Sequence, residues 1–82
     1  MITHLDAQLG RVFAQLRASG LTNNTLVVFA ADNGLALGQH GLLGKQNLYD
    51  HSVRVPMLLA GPGVSGGRRS SALVYLHDLF PT

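Results

Sequence analysis

Residues Thr25 to Ala31, TLVVFAA, form an unbroken apolar, β-rich run that halts at Asp32-Asn33-Gly34. A strand with one wet face alternates apolar and polar residues, so a run without alternation predicts a strand covered on both faces, as in the centre of a parallel sheet. A second run, Val55 to Ala60 (VPMLLA), predicts another strand, with Pro56 near its start where a missing N–H is tolerated. Ahead of both, Ile2, Leu5, Leu9, Val12, Phe13 and Leu16 recur at steps of three and four. That spacing predicts a helix of about five turns with one apolar stripe. Thr3 with Asp6 reads as a capping box at its start, and Gly20 as its stop. Helix, buried strand, loop and buried strand imply an α/β fold on a mostly parallel open sheet.

The connections carry turn chemistry. Thr22-Asn23-Asn24 predicts a turn, and Leu35 to Gly44, with Gly38, Gly41 and Gly44, predicts a shaped loop. Gln46 to Ser52 is expected to form a short helical turn, and Gly61 to Gly67 a turn-rich loop. Ser71 to Tyr75 is expected to be briefly extended before a helix from His77 onward, with Pro81 placed to open a further one.

Composition bounds what such a chain does. A domain of 82 residues is at the small end, where about 60% of the unfolded surface is buried on folding. Hydrophobic residues make up 46% of the chain and charged residues 12%, too little polar surface to wrap a small globule. The expectation is a piece of a larger domain, truncated at both ends and molten or aggregation-prone when isolated. A net charge of +2 falls short of the basic stripe that binds a nucleic-acid backbone. Without cysteine there is no disulfide, thiolate metal site or cysteine nucleophile in these residues. No apolar stretch approaches the length of a membrane span, so no membrane partner is expected, and the first residues lack a signal-peptide pattern. Localisation and oligomeric state stay open; a periplasmic or secreted parent is compatible with the sequence.

In open α/β sheets ligands gather at the carboxyl ends of strands, which directs attention to Asp32 and Asn33. A carboxylate beside a carboxamide offers hard oxygen donors, suited to calcium or magnesium rather than zinc. The same tripeptide is also a common turn. His40, Lys45, Tyr49 and Arg54 follow within one loop region. For a substrate bearing sulfate or phosphate, a divalent ion and an ammonium together balance the charge that develops during displacement. Each residue has an ordinary alternative: Lys45 as a solvated cation, His40 as a turn residue, Tyr49 as a ring packed under the loop, Arg54 as a bridge between strand ends. His4, His51 and His77 read as structural or surface residues.

Val28-Phe29-Ala30-Ala31-Asp32-Asn33-Gly34, then Leu37-Gly38-Gln39-His40-Gly41-Leu42, Gly44-Lys45, Tyr49 and Arg54-Val55-Pro56 running to Gly61-Pro62-Gly63, resemble the sulfatase family of the alkaline phosphatase superfamily. The helix before the strand and the closing Asp78-Leu79-Phe80-Pro81-Thr82 resemble it too. The resemblance implies an α/β/α sandwich, of which residues 1–82 would be a partial catalytic domain. It implies that Asp32 and Asn33 ligate an active-site calcium and that Lys45 contacts the sulfate or leaving oxygen of the substrate. His40, in the family's Gly-x-His-Gly turn, is implied as a further catalytic contact, and Arg54 as a brace. The substrate would be a sulfate-ester small molecule or a sulfated glycan. The family's formylglycine nucleophile, made from a Cys/Ser-x-Pro-x-Arg motif, has no source here: Pro56, Pro62 and Pro81 are preceded two positions earlier by Arg54, Ala60 and Leu79. The fragment alone is therefore expected to be inactive. The alternatives are a phosphodiester or phosphonate hydrolase of the same superfamily, and a non-catalytic remnant.

Overall fold

The computed structural model describes all 82 residues, Met1 to Thr82. Its elements run in the order α1 (Ile2–Ala18), β1 (Val27–Ala30), β2 (Ala36–Leu37), β3 (Leu43–Gly44), α2 (Asp50–Val53) and β4 (Met57–Ala60). Single 3-10 turns lie at Thr22–Asn24, Gln39–Gly41 and Leu76–Leu79.

Helix α1 follows its periodicity. Its end is fixed by Gly20, at φ +69°, in the left-handed conformation that glycine adopts without steric cost. The Gly20 N–H donates to Arg17 O at 3.0 Å and the Leu21 N–H to Leu16 O at 3.3 Å, the paired bonds of a Schellman stop. The start differs from expectation. Helical geometry already begins at Ile2, Met1 is the N-cap, and no side chain caps the helix. Thr3 and Asp6 lie inside the helix, so they do not make a capping box.

Strands β1 and β4 pair antiparallel, with Val27 opposite Ala60, Val28 opposite Leu59, Phe29 opposite Leu58 and Ala30 opposite Met57. The expected parallel sheet is therefore not what these residues form. A parallel return needs a crossover of a dozen or more residues, usually a helix that carries the chain back along the sheet. Between β1 and β4 the helix α2 has only four residues, and the rest is the short antiparallel β2–β3 hairpin. The chain turns round at the strand end instead, and β4 runs back against β1.

Opposed residues of an antiparallel pair share a face. One face of the ribbon therefore carries Val27, Phe29, Leu58 and Ala60, and the other carries Val28, Ala30, Leu59 and Met57. The apolar stripe of α1 lies over the first. Ile2, Leu5 and Leu9 border a cleft with Phe29 and Leu58, and Phe13 and Leu16 border another with Val27 and Ala60. On the second face Val28 and Leu59 remain exposed. Phe29 and Leu58, under α1, are no better covered at 46% and 64% exposure, so of the two-sided cover expected for these strands the chain completes neither side.

Past Ala60 the chain forms no strand or helix up to Tyr75, the last residue of the stretch expected to be briefly extended and itself extended at φ −110° and ψ 149°, and the C-terminal helix is the single turn Leu76–Leu79. No helix is long and apolar enough to cross a membrane.

Candidate functional site

Strand β1 delivers Asp32 and Asn33 to its carboxyl end, where the chain bends instead of continuing the ladder. The Asp32 carboxylate is exposed and accepts the Asn33 N–H at 2.9 Å through Oδ1, which locks the bend locally. Asn33 is half-buried, and its amide orientation is set from both ends. Nδ2 donates to Gly34 O at 2.8 Å, while Oδ1 accepts Lys45 Nζ at 2.7 Å. The ammonium comes from twelve positions further along the chain. Lys45 is thus brought to Asn33, with the ammonium on the carboxamide and making no ion pair with the Asp32 carboxylate.

Two features hold this bend against α2. The Gly34 N–H donates to Ser52 O at 2.9 Å, and a Cβ at Gly34 would overlap the His51 carbonyl oxygen. Space, not an unusual φ, demands glycine there. Ser52 is itself one of two buried residues, at 4% exposure, and the other is Ala36 at 1%. The Ser52 Oγ donates to Asn47 Oδ1 at 2.9 Å, and the same oxygen accepts the Tyr49 N–H at 3.1 Å. That second bond is an Asx turn, in which a side-chain oxygen takes an N–H the helix would otherwise own. Helix α2 accordingly starts at Asp50 and not at Gln46.

The loop between β2 and β3 turns through His40, the only non-glycine residue at positive φ (54°). A left-handed backbone costs an ordinary L-residue roughly 1–2 kcal/mol. The His40 ring stacks on Tyr49, with centroids 4.3 Å apart and planes 17° from parallel. Such a pair contributes about 0.5–1.5 kcal/mol beyond its buried area, comparable to the strain. His51 completes a three-ring cluster at 5.8 Å from His40 and 5.7 Å from Tyr49, and its Nε2 is enclosed without a hydrogen-bond partner in the chain.

Of the expected residues, Tyr49 packs against the loop as one of its two readings allowed. Arg54 does not brace anything within the chain: its side chain is exposed and makes neither an ion pair nor a side-chain hydrogen bond. His51, read as structural or surface, lies half-buried in the ring cluster, as the structural reading allowed. Asn47, Ser52 and Gly34 carry the loop geometry, and only Asn47 left a legible trace, as an Asx residue two positions before Tyr49.

The donor chemistry agrees with a hard divalent cation, since Asp32 and Asn33 offer oxygen and no sulfur or imidazole. The number of donors does not close a shell. Calcium takes about six to eight oxygens, and no group of three or more His, Cys, Asp or Glu side chains converges anywhere in the chain. These residues supply part of a coordination sphere at most.

Hard oxygen donors at a strand exit, with an ammonium folded back onto them, suit an anionic group held beside a cation. The chain belongs to the sulfatase family, whose family model matches residues 1–82. It is 39% identical over 82 residues to arylsulfatase K of Danio rerio, covering 100% of this chain and 16% of that protein. It is 38% identical over 81 residues to the choline-sulfatase of Rhizobium meliloti (strain 1021), covering 99% of this chain and 16% of that protein. Against arylsulfatase K of Homo sapiens the identity is 34%, over 100% of this chain and 15% of that protein. The chain thus spans about 15% of the length of the curated relatives it matches. No solved structure matches it.

Proposed function

We propose that residues 1–82 are one portion of a sulfatase catalytic domain, and that this portion helps bind and polarise a sulfate ester for hydrolysis. Asp32 and Asn33 serve as part of the shell of a calcium ion, with magnesium as the other hard cation the donors suit. The bound cation supplies electrostatic stabilisation of the charge that gathers on the sulfate oxygens. Lys45 contacts the sulfate or the leaving oxygen from the same side, and His40 shapes the loop that carries it. The remaining ligands and the nucleophile come from elsewhere in the longer protein, since no Cys/Ser-x-Pro-x-Arg motif occurs among these residues. The substrate is a sulfate ester, either a small molecule or a sulfated glycan.

One observation carries this reading: Lys45 Nζ meets Asn33 Oδ1 at 2.7 Å across the strand exit. The contact brings the ammonium to the carboxamide proposed as a cation ligand; a cation bound at Asn33 Oδ1 would displace the ammonium from that oxygen onto the anion held beside it.

The test is Lys45→Ala in the intact sulfatase carrying these residues. Removing one preorganised donor to the developing charge is expected to lower kcat/KM for an aryl sulfate roughly 100- to 1,000-fold, with the thermal midpoint nearly unchanged. Unchanged kcat/KM removes Lys45 from the site. Assay of matched sulfate and phosphate esters fixes the substrate class, and a marked preference for phosphate overturns the sulfate assignment.

A further inference from the structure

The strand-end site belongs to a closed circuit of contacts. Asn33 and Gly34 dock on α2 through the Gly34–Ser52 hydrogen bond and the close approach to the His51 carbonyl. At the start of α2, Tyr49 and His51 present their rings to His40. His40 forms the turn from which β3 runs directly into Lys45, and Lys45 closes the circuit on Asn33. Two of the joints are backbone contacts. Besides the closing Lys45–Asn33 bond, the ring stack is the joint made wholly by side chains, and it falls where the backbone is least comfortable, at the left-handed His40.

We propose that Tyr49 is a positioning residue: by stacking on His40, with His51 at the edge of the stack, it holds the β2–β3 turn so that Lys45 reaches Asn33. The consequence for turnover rests on the role proposed above for Lys45, whereas the geometric claim stands without it. The Tyr49 hydroxyl makes no hydrogen bond within the chain, so the ring face and not the phenol does the positioning. A phenylalanine ring serves equally, and an aliphatic side chain of similar bulk does not, because it offers no π face to the imidazole.

The claim is tested on the intact sulfatase with Tyr49→Phe, Tyr49→Leu and His40→Asn. Asparagine tolerates the left-handed turn and lacks the ring, so His40→Asn breaks the stack without touching α2. The first readout is the acylation rate of Lys45 by an N-hydroxysuccinimide ester, followed at that residue by peptide mass spectrometry. Tyr49→Leu and His40→Asn are expected to raise this rate roughly 5-fold as the ammonium loses its partner, and Tyr49→Phe to leave it within about 2-fold of the parent. The second is turnover. The two stack-breaking variants are expected to lose roughly 100-fold in kcat/KM, the scale of a misplaced reacting group. Wild-type acylation in both stack-breaking variants, or a Tyr49→Phe protein that behaves like Tyr49→Leu, overturns the proposal. Should Tyr49→Leu fail to fold, His40→Asn decides alone. If Lys45→Ala leaves turnover intact while the stack-breaking variants still unmask Lys45, positioning holds and the sulfate contact is what fails.

Discussion

The ribbon of β1 and β4 with helix α1 and the loop region from Asp32 to Arg54 are built on opposite principles. The first is regular, apolar and open: its strands are ladder-paired, yet Leu59 is 48% exposed and Leu58 64%. The second is irregular and polar, and it holds both buried residues, Ala36 and Ser52. The longest regular elements are not where the buried residues lie: those sit in the short β2 and α2. The loop region satisfies itself through specific short contacts, whereas the ribbon depends on surface that these 82 residues do not provide.

That contrast is broken or sharpened first by Leu59→Ala in the intact sulfatase. If the open face of the ribbon is covered in the longer protein, the substitution empties a core position there and costs about 2–5 kcal/mol. Chemical denaturation checks it. A change within about 0.5 kcal/mol, that of a surface substitution, would mean that the ribbon face stays open in the parent too.

Gly34→Ala probes the other region, with a somewhat smaller expected loss. The new methyl overlaps the His51 carbonyl oxygen, a backbone atom that cannot rotate aside. The bend must lift from α2, breaking the Gly34–Ser52 hydrogen bond, at an expected cost of about 3 kcal/mol. Hydrogen exchange at the Gly34 amide reports the event locally: the variant should lose protection at residue 34 while amides of α1 keep theirs. Uniform loss of protection would show that loop and scaffold form one cooperative unit, contrary to the division drawn here.

The same division explains what could be read from the sequence. Periodicity identified α1, and continuous apolar runs identified both strands, because burial imposes those patterns residue by residue. Strand direction left no such mark. TLVVFAA and VPMLLA suit either sense of pairing, and the sense was decided by the absence of a crossover helix between them. In the loop region, Asp32, Asn33 and Lys45 stood out as chemistry in order along the chain, and Lys45 does reach Asn33. The ring cluster did not stand out, since His40, Tyr49 and His51 meet only through a left-handed turn that histidine rarely adopts. Gly34 was concealed for a different reason: Asp-Asn-Gly looks like an ordinary turn, and the need for glycine arises from the His51 carbonyl of α2 pressing on it from seventeen residues away along the chain.

The smallest expected effect is the most discriminating about how the loop region holds together. Ser52→Ala deletes the Oγ–H bond to Asn47 Oδ1 but leaves that oxygen with the Tyr49 N–H, so no buried acceptor is orphaned. The loss should be that of one ordinary hydrogen bond, about 1 kcal/mol. Asn47→Ala removes both bonds and the Asx turn with them, and should cost roughly twice as much. The double variant should then be no worse than Asn47→Ala alone, because Ser52 has lost its partner in either case. Such non-additivity, measured as a double-mutant cycle by denaturation, is the signature of a shared node. Strict additivity would mean that Ser52 is stabilised by burial under the loop rather than by Asn47. The polar loop region would then resemble the ribbon, held by covered surface and not by named bonds.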